Sequence, residues 1–245
     1  GISSLYAQDV STFAGTPAQN GTTPMAVDKL SAKFNKPYSI AKDGQGNYWI
    51  TEEGNHTVMM IVASSQKVRV RAGGFGQASF VDANSTASRF NSPRGIAIGA
   101  NGEIYVADFN NHVIRKLSKF LSISTAQTVS VFAGKYGTQG SYYTPMPGFA
   151  NGAADQAQFR SPSDIATDAS GNVYVADAGN YVIRKITPSG QVSTFAGQPG
   201  SSGDVDGDAL TQAKFKLPVG VYVDGNDIYV AEKKKKKIKK ISGGQ

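Results

Sequence analysis

One unit recurs four times along this chain, and that recurrence limits the fold more than any other feature. The fullest copy is Phe159 to Gly197, FRSPSDIATDASGNVYVADAGNYVIRKITPSGQVSTFAG. Shorter copies read FNSPRGIAIGANGEIYVADFNNHVIRKL from Phe90 to Leu117, FNKPYSIAKDGQGNYWITEEGNHTVMMI from Phe34 to Ile61, and FKLPVGVYVDGNDIYVAEKKKKKIKKI from Phe215 to Ile241. A unit repeated in this way buries its apolar faces only by stacking on its neighbours, so the fold is a repeat architecture.

Alternation within the unit gives its strands. Asp164 to Asp168 is a short segment of small and apolar residues, and the Asp/Gly/Asn-rich turn at Asp168 to Asn172 ends it. Val173 to Ala176 is rich in strand formers, Asp177 to Asn180 turns the chain, and Tyr181 to Ile186 follows as a third strand. Thr187 to Gly190 turns again before a fourth strand, Gln191 to Ala196. Four antiparallel strands in sequence make one up-and-down sheet, and such sheets arranged radially make an all-β propeller. The expected architecture is one domain over residues 1–245, with blades starting at Phe34, Phe90, Phe159 and Phe215. The spacings are 56, 69 and 56 residues, the longer one reflecting the loop Thr138 to Gly148, TQGSYYTPMPG. Gln8 to Gly15 repeats Gly190 to Gly197, while the last repeat stops after its third strand. This predicts that the N-terminal strand 8–15 closes the last blade and removes two open sheet edges. The alternative is four blades of a larger ring.

The pattern Tyr-Val-Ala-Asp-x-x-Asn-x-x-Ile-Arg-Lys at 105–116 and 174–185, with the Val-Ser-Thr-Phe-Ala-Gly strands, resembles the NHL repeat family. The resemblance implies β-propellers, usually six-bladed and built of shorter repeats than these, that commonly mediate interactions.

Composition narrows the function classes. The chain has no cysteine, which excludes disulfides, thiolate metal sites and a cysteine nucleophile. The formal net charge is +7, and Lys233 to Lys237 alone contribute +5, so the remainder is nearly balanced. No stretch approaches the ~20 apolar residues of a membrane span.

Several stretches invite a chemical reading. Asp108, Asn111, Asp177 and Asn180 recur at one hairpin, where Asp and Asn suit tight turns. His56 and His112 share a repeat position that holds Tyr181 and Lys236 in the other copies, so no ring of metal ligands is expected there. Asp204, Asp206 and Asp208 place carboxylates on alternate residues, a weak calcium candidate that lacks the distal glutamate of an EF-hand loop. The basic patch Lys233, Lys234, Lys235, Lys236 and Lys237 offers a phosphate or nucleic-acid contact. It also puts five like charges where the other repeats have turn formers, a local conflict that raises the alternative of an uncertain residue assignment. Tyr136, Tyr142, Tyr143 and Phe149, in or beside the enlarged loop, are the partner-binding candidates, since flat aromatics give large contact area at modest entropic cost.

The expected function is therefore non-catalytic: a rigid propeller presenting loops to protein subunits or a glycan, within an exported or cell-surface assembly and without a bound cofactor. A metal-dependent propeller lactonase or lyase, with inward ligands such as Asp164 together with His56 or His112, is the alternative. Nucleic-acid binding through the lysine run is the third.

Overall fold

The computed structural model describes residues 10–17, 19–23, 26–139 and 142–243. Within them the chain is all β apart from three single-turn 3-10 helices, and its long strands form four antiparallel sheets, the blades of a β-propeller. The first blade runs from the inner strand Pro37–Lys42 through Tyr48–Glu52 and Thr57–Ile61 to the outer strand Lys67–Ala72. The second follows the same path over Pro93–Ile98, Ile104–Asp108, Val113–Leu117 and Thr128–Ala133. The third uses Pro162–Thr167, Val173–Asp177, Val182–Ile186 and Gln191–Ala196. The fourth holds three strands among the described residues, Pro218–Asp224, Asp227–Glu232 and Lys237–Ile241. In the enlarged loop, Tyr136–Gln139 pairs with Tyr142–Pro145 as a separate hairpin.

The core lies between blades. Trp49 and Met60 of the first blade meet Phe90, Ile104 and Leu117 of the second, and equivalent clusters join the second to the third and the third to the fourth. Phe90, Phe159 and Phe215 are fully buried, each contributing about 1.5–3 kcal/mol. Phe90 and Phe215 lie against the glycine that ends the preceding outer strand. At Gly73, φ is +89° and an added Cβ would stand 2.4 Å from the His56 carbonyl and 3.2 Å from the Phe90 ring, so only glycine fits. The contact ties the Ala-Gly that ends an outer strand to the Phe that opens the next Phe-x-x-Pro.

A second repeated device is polar. Asp108 and Asp177 are fully buried, and each accepts the backbone N–H that follows the buried Phe, from Asn91 and Arg160 at 2.8 Å. Their second oxygens accept from Asn111 and Asn180 at 2.8 Å and from Arg115 and Arg184 at 3.1 and 3.0 Å. These four Asp and Asn residues are therefore more than turn formers: besides shaping the hairpin, they anchor the loop that opens their blade. Each arginine extends the network, Arg184 donating to the Gln158 and Ala150 carbonyls and the Asn151 side chain. The first blade solves the same problem without an arginine. Met59 stands in its place, and Glu52 accepts from the Thr57 hydroxyl, the Asn55 amide and the Asn35 N–H.

The segment expected to close the last blade lies elsewhere. Gln8 and Asp9 fall outside the described residues, and Val10 to Gly15 forms no strand. Gly15 N–H donates to the Lys29 carbonyl at 2.7 Å and Phe13 packs edge-on against Tyr48, so this segment sits on the first blade. The reason is the lock just described: Gly15 lies against Phe34, as Gly73 lies against Phe90.

Replacing Arg184 with Met leaves the Asp177 carboxylate buried without its cation. We expect a loss of about 3–5 kcal/mol in urea unfolding. The triple variant D177E/V182T/R184M, which copies the first blade, should be more stable than R184M alone; equal or lower stability would contradict this reading of the network.

Candidate functional site

The four inner strands run side by side, so equivalent repeat positions meet at one end of the central channel. The residue after the inner-strand proline is Tyr38, Arg94, Ser163 and Val219 in successive blades, and the first residue of the following hairpin turn is Glu53, Phe109, Ala178 and Lys233. Together they surround a cavity of about 440 Å³ at the channel mouth. No residue type occurs twice among these eight positions, whereas the opening Phe and the proline are the same in all four blades.

Arg94 dominates the mouth. Its Nη2 and Nε both donate to Glu53 Oε1, at 2.8 and 3.3 Å. The guanidinium carbon lies 3.4 Å from the centroid of the Phe109 ring and 5.2 Å from that of Tyr38. Below them the Ser163 hydroxyl donates among the carbonyls of Ala176, Pro218 and Val219, at 3.2–3.3 Å, and ties the third blade to the fourth.

One layer deeper, the equivalent positions are Ser39, Gly95, Asp164 and Gly220, so a single carboxylate enters the channel. Asp164 Oδ2 accepts the Val221 N–H at 2.9 Å, and its backbone lies so close to Gly95 that an added Cβ there would stand 2.5 Å from the Asp164 Cα. Burial pushes the Asp164 carboxyl up to about 6, against the backbone N–H groups of Val221 and Ile165 that favour its charged form.

The two histidines act between blades. His56 and His112 adopt the left-handed conformation, and their Nδ1 atoms accept the N–H of Ser92 and of Ser161, each at 3.0 Å in the next blade. Burial lowers both below the ordinary histidine range, with Glu53 opposing the shift at His56 and Arg160 adding to it at His112.

The aromatic loop turns its rings on itself. Phe80, Tyr136 and Tyr143 form a three-ring cluster with centroids 5.0–5.3 Å apart, and Tyr142 contributes a backbone position in the hairpin. Phe149 carries the Arg184 guanidinium over its ring at 4.7 Å. The acidic triplet is likewise engaged. Asp204 pairs with Lys237 at 2.8 Å and Lys239 at 3.3 Å, Asp206 pairs with Lys239 at 2.9 Å, and Asp208 accepts from Leu210 and Thr211. Among the described residues no three His, Cys, Asp or Glu side chains converge as metal ligands.

The lysine run divides by position. Lys233 lines the channel mouth, Lys234, Lys235 and Lys236 form the turn with Lys236 left-handed, and Lys237 begins the third strand. Lys239 occupies the place of Arg184 and donates to the Val205 and Lys214 carbonyls. Lys235 occupies the place of Asn180, and with that amide gone Glu232 Oε2 is buried without a partner. This is the physical form of the conflict read from the sequence.

The NHL repeat family model matches residues 90–117 and 159–186. NHL repeat-containing protein 2 of Bos taurus is 27% identical over 228 residues, which cover 81% of this chain and 31% of that protein. An auxiliary nutrient binding protein of Bacteroides ovatus superposes with a TM-score of 0.66 at 17% identity, over 87% of this chain and 50% of the other. A gluconolactonase of Xanthomonas campestris gives 0.52 at 11%, over 83% and 56%. These two likenesses are of fold.

Two measurements check the site. Because His56 and His112 bind protons less readily folded than unfolded, their contribution to stability is complete above about pH 6.5 and is lost as pH falls through their lowered folded values. Asp164, with its raised value, acts in the opposite sense. The H56N/H112N variant should therefore lose less stability than the wild type between pH 7.5 and 5; parallel curves would refute the inter-blade role. Separately, Lys235→Asn should raise the unfolding free energy by about 1–3 kcal/mol by giving Glu232 Oε2 a donor.

The chain is thus a β-propeller that carries NHL repeats at residues 90–117 and 159–186.

Proposed function

We propose that this propeller is a non-catalytic binding module whose channel mouth engages a glycan or protein partner, within an exported or cell-surface assembly. The observation that carries the reading is the contrast among repeat positions. The Phe and the proline that open each blade are the same in all four copies; at the eight mouth positions no residue type occurs twice, and those residues supply an oriented guanidinium, an ammonium, a carboxylate and exposed aromatic surface. Such a mixture suits recognition, with aromatic rings giving contact area and the polar groups giving orientation. The fold shared with a nutrient binding protein is in keeping with this reading. The aromatic hairpin 136–145 serves as packing in this reading, because Tyr136 and Tyr143 spend their faces on Phe80.

A second reading is enzymatic and rests on Asp164, a carboxylate in the channel whose raised value suits general acid–base chemistry. The fold shared with a gluconolactonase supports it.

Binding to a glycan array, followed by titration of the best ligand, tests the first reading. Arg94→Ala and Tyr38→Ala should each weaken binding about ten-fold or more, while Tyr143→Ala leaves it unchanged. Unaltered binding in both mouth variants would overturn the proposal. Lactone hydrolysis abolished by Asp164→Asn would replace it with the second.

A further inference from the structure

We infer that the channel mouth takes a carboxylate-bearing sugar, a uronic acid unit, with its carboxylate between Arg94 and Lys233 and its ring against Tyr38. This inference rests on the binding reading above and names its ligand class.

The donor count carries the argument. Glu53 occupies only Nε and Nη2 of Arg94, both through a single oxygen, and among the described residues Nη1 has no hydrogen-bond partner. Arg94 is nevertheless fixed in place by Phe109 beneath it and by the Glu53 pair, so its free edge is oriented before any ligand arrives. Lys233 reaches the same cavity from the fourth blade and forms no ion pair among the described residues, unlike Lys235, Lys237, Lys239 and Lys240. Two cations and one carboxylate line the mouth and leave a single positive charge, which one ligand carboxylate balances. A planar guanidinium edge with an ammonium opposite is a good match to a carboxylate.

The remaining surface favours a sugar over a purely apolar acid. Tyr38 is 41% exposed, and its ring stands at the rim beside Arg94. Glu53 Oε2, which accepts no hydrogen bond among the described residues, is an acceptor for ring hydroxyls next to the cation. The cavity, about 440 Å³, falls within the ~300–1,000 Å³ range of small-ligand sites. Asp164 lies a layer below, where it accepts the Val221 N–H, and among the described residues it forms no ion pair with Arg94 or Lys233.

Isothermal titration of the whole chain with trigalacturonate, its methyl ester, galactotriose and a dipeptide with a free C-terminal carboxylate tests this. Trigalacturonate should bind about ten-fold or more tightly than either neutral sugar and than the dipeptide, and Lys233→Met and Arg94→Lys should each remove about that advantage. Arg94→Lys keeps the charge and loses the planar edge, so its effect separates geometry from net charge. Equal binding of galactotriose, with both still lost in Tyr38→Ala, would overturn the carboxylate while leaving the binding module standing. Tighter binding of the dipeptide would overturn the sugar. No effect of Lys233→Met on trigalacturonate would overturn the placement.

Discussion

The buried carboxylate at the end of each second strand is the interaction on which the blades depend. In every blade this residue, Glu52, Asp108, Asp177 or Glu232, accepts the backbone N–H just after the Phe that locks the blade to its predecessor. That N–H is in a loop with no strand partner, so without the carboxylate it would be buried and unpaired, at about 1–3 kcal/mol. Burying a charge is itself costly, and a well-packed apolar replacement for a buried pair is often as stable. The carboxylate persists because it does what an apolar side chain cannot, joining an irregular loop to a regular sheet. Burial raises Asp108 and Asp177, yet the guanidinium, amide and N–H around each favour the charged form.

The cation that completes the network varies, and the variation is coordinated. Arg115 and Arg184 lie under aromatic rings, Phe80 and Phe149, at 5.1 and 4.7 Å. In the fourth blade the cation is Lys239, and the residue in place of the aromatic is Asp204. A compact ammonium gains more from a carboxylate than from a ring face, and a delocalised guanidinium tolerates the ring well. The two substitutions thus make sense as a pair. The acidic loop 204–208, which looks in sequence like a cation site, is the counter-charge for a lysine that stands where arginine stood.

Much of the fold was legible because it repeats. The Phe-x-x-Pro openings, the Asp-containing hairpins and the alternating strands all fall where the sequence places them. What escaped was whatever depended on superposing the repeats in space. Arg115 and Arg184 sit in an Ile-Arg-Lys run whose local pattern gives no sign of burial, and only superposing the repeats places each beside a buried Asp. Tyr136 and Tyr143 are half-buried and pack against Phe80, a neighbour more than fifty residues earlier that no local pattern links to them. The N-terminal segment matched an outer strand correctly in sequence, but the match could not say that its Phe-Ala-Gly end is committed to the blade that follows it. The channel mouth was least legible of all, since Tyr38, Arg94 and Lys233 come from three blades and no local motif links them.

That last failure has a physical cause with wider use. A repeat protein tells which positions its fold sets, because every copy must satisfy the same packing and the same backbone hydrogen bonds. Positions that escape this constraint yet converge on one axis carry no structural duty that the symmetry demands. At the mouth the inner-strand prolines and hairpin turns are held by the network below, so the side chains above them are positioned without being prescribed. Four blades with four different residues then make an asymmetric surface on a symmetric frame. An asymmetric ligand needs such a surface, and here the asymmetry is electrostatic as well as steric: Glu53 and Lys233 occupy equivalent turns of two blades with opposite charge. A bound molecule with one charged end has a single favourable orientation in that field, and the rigidity of the frame keeps that preference from being averaged away.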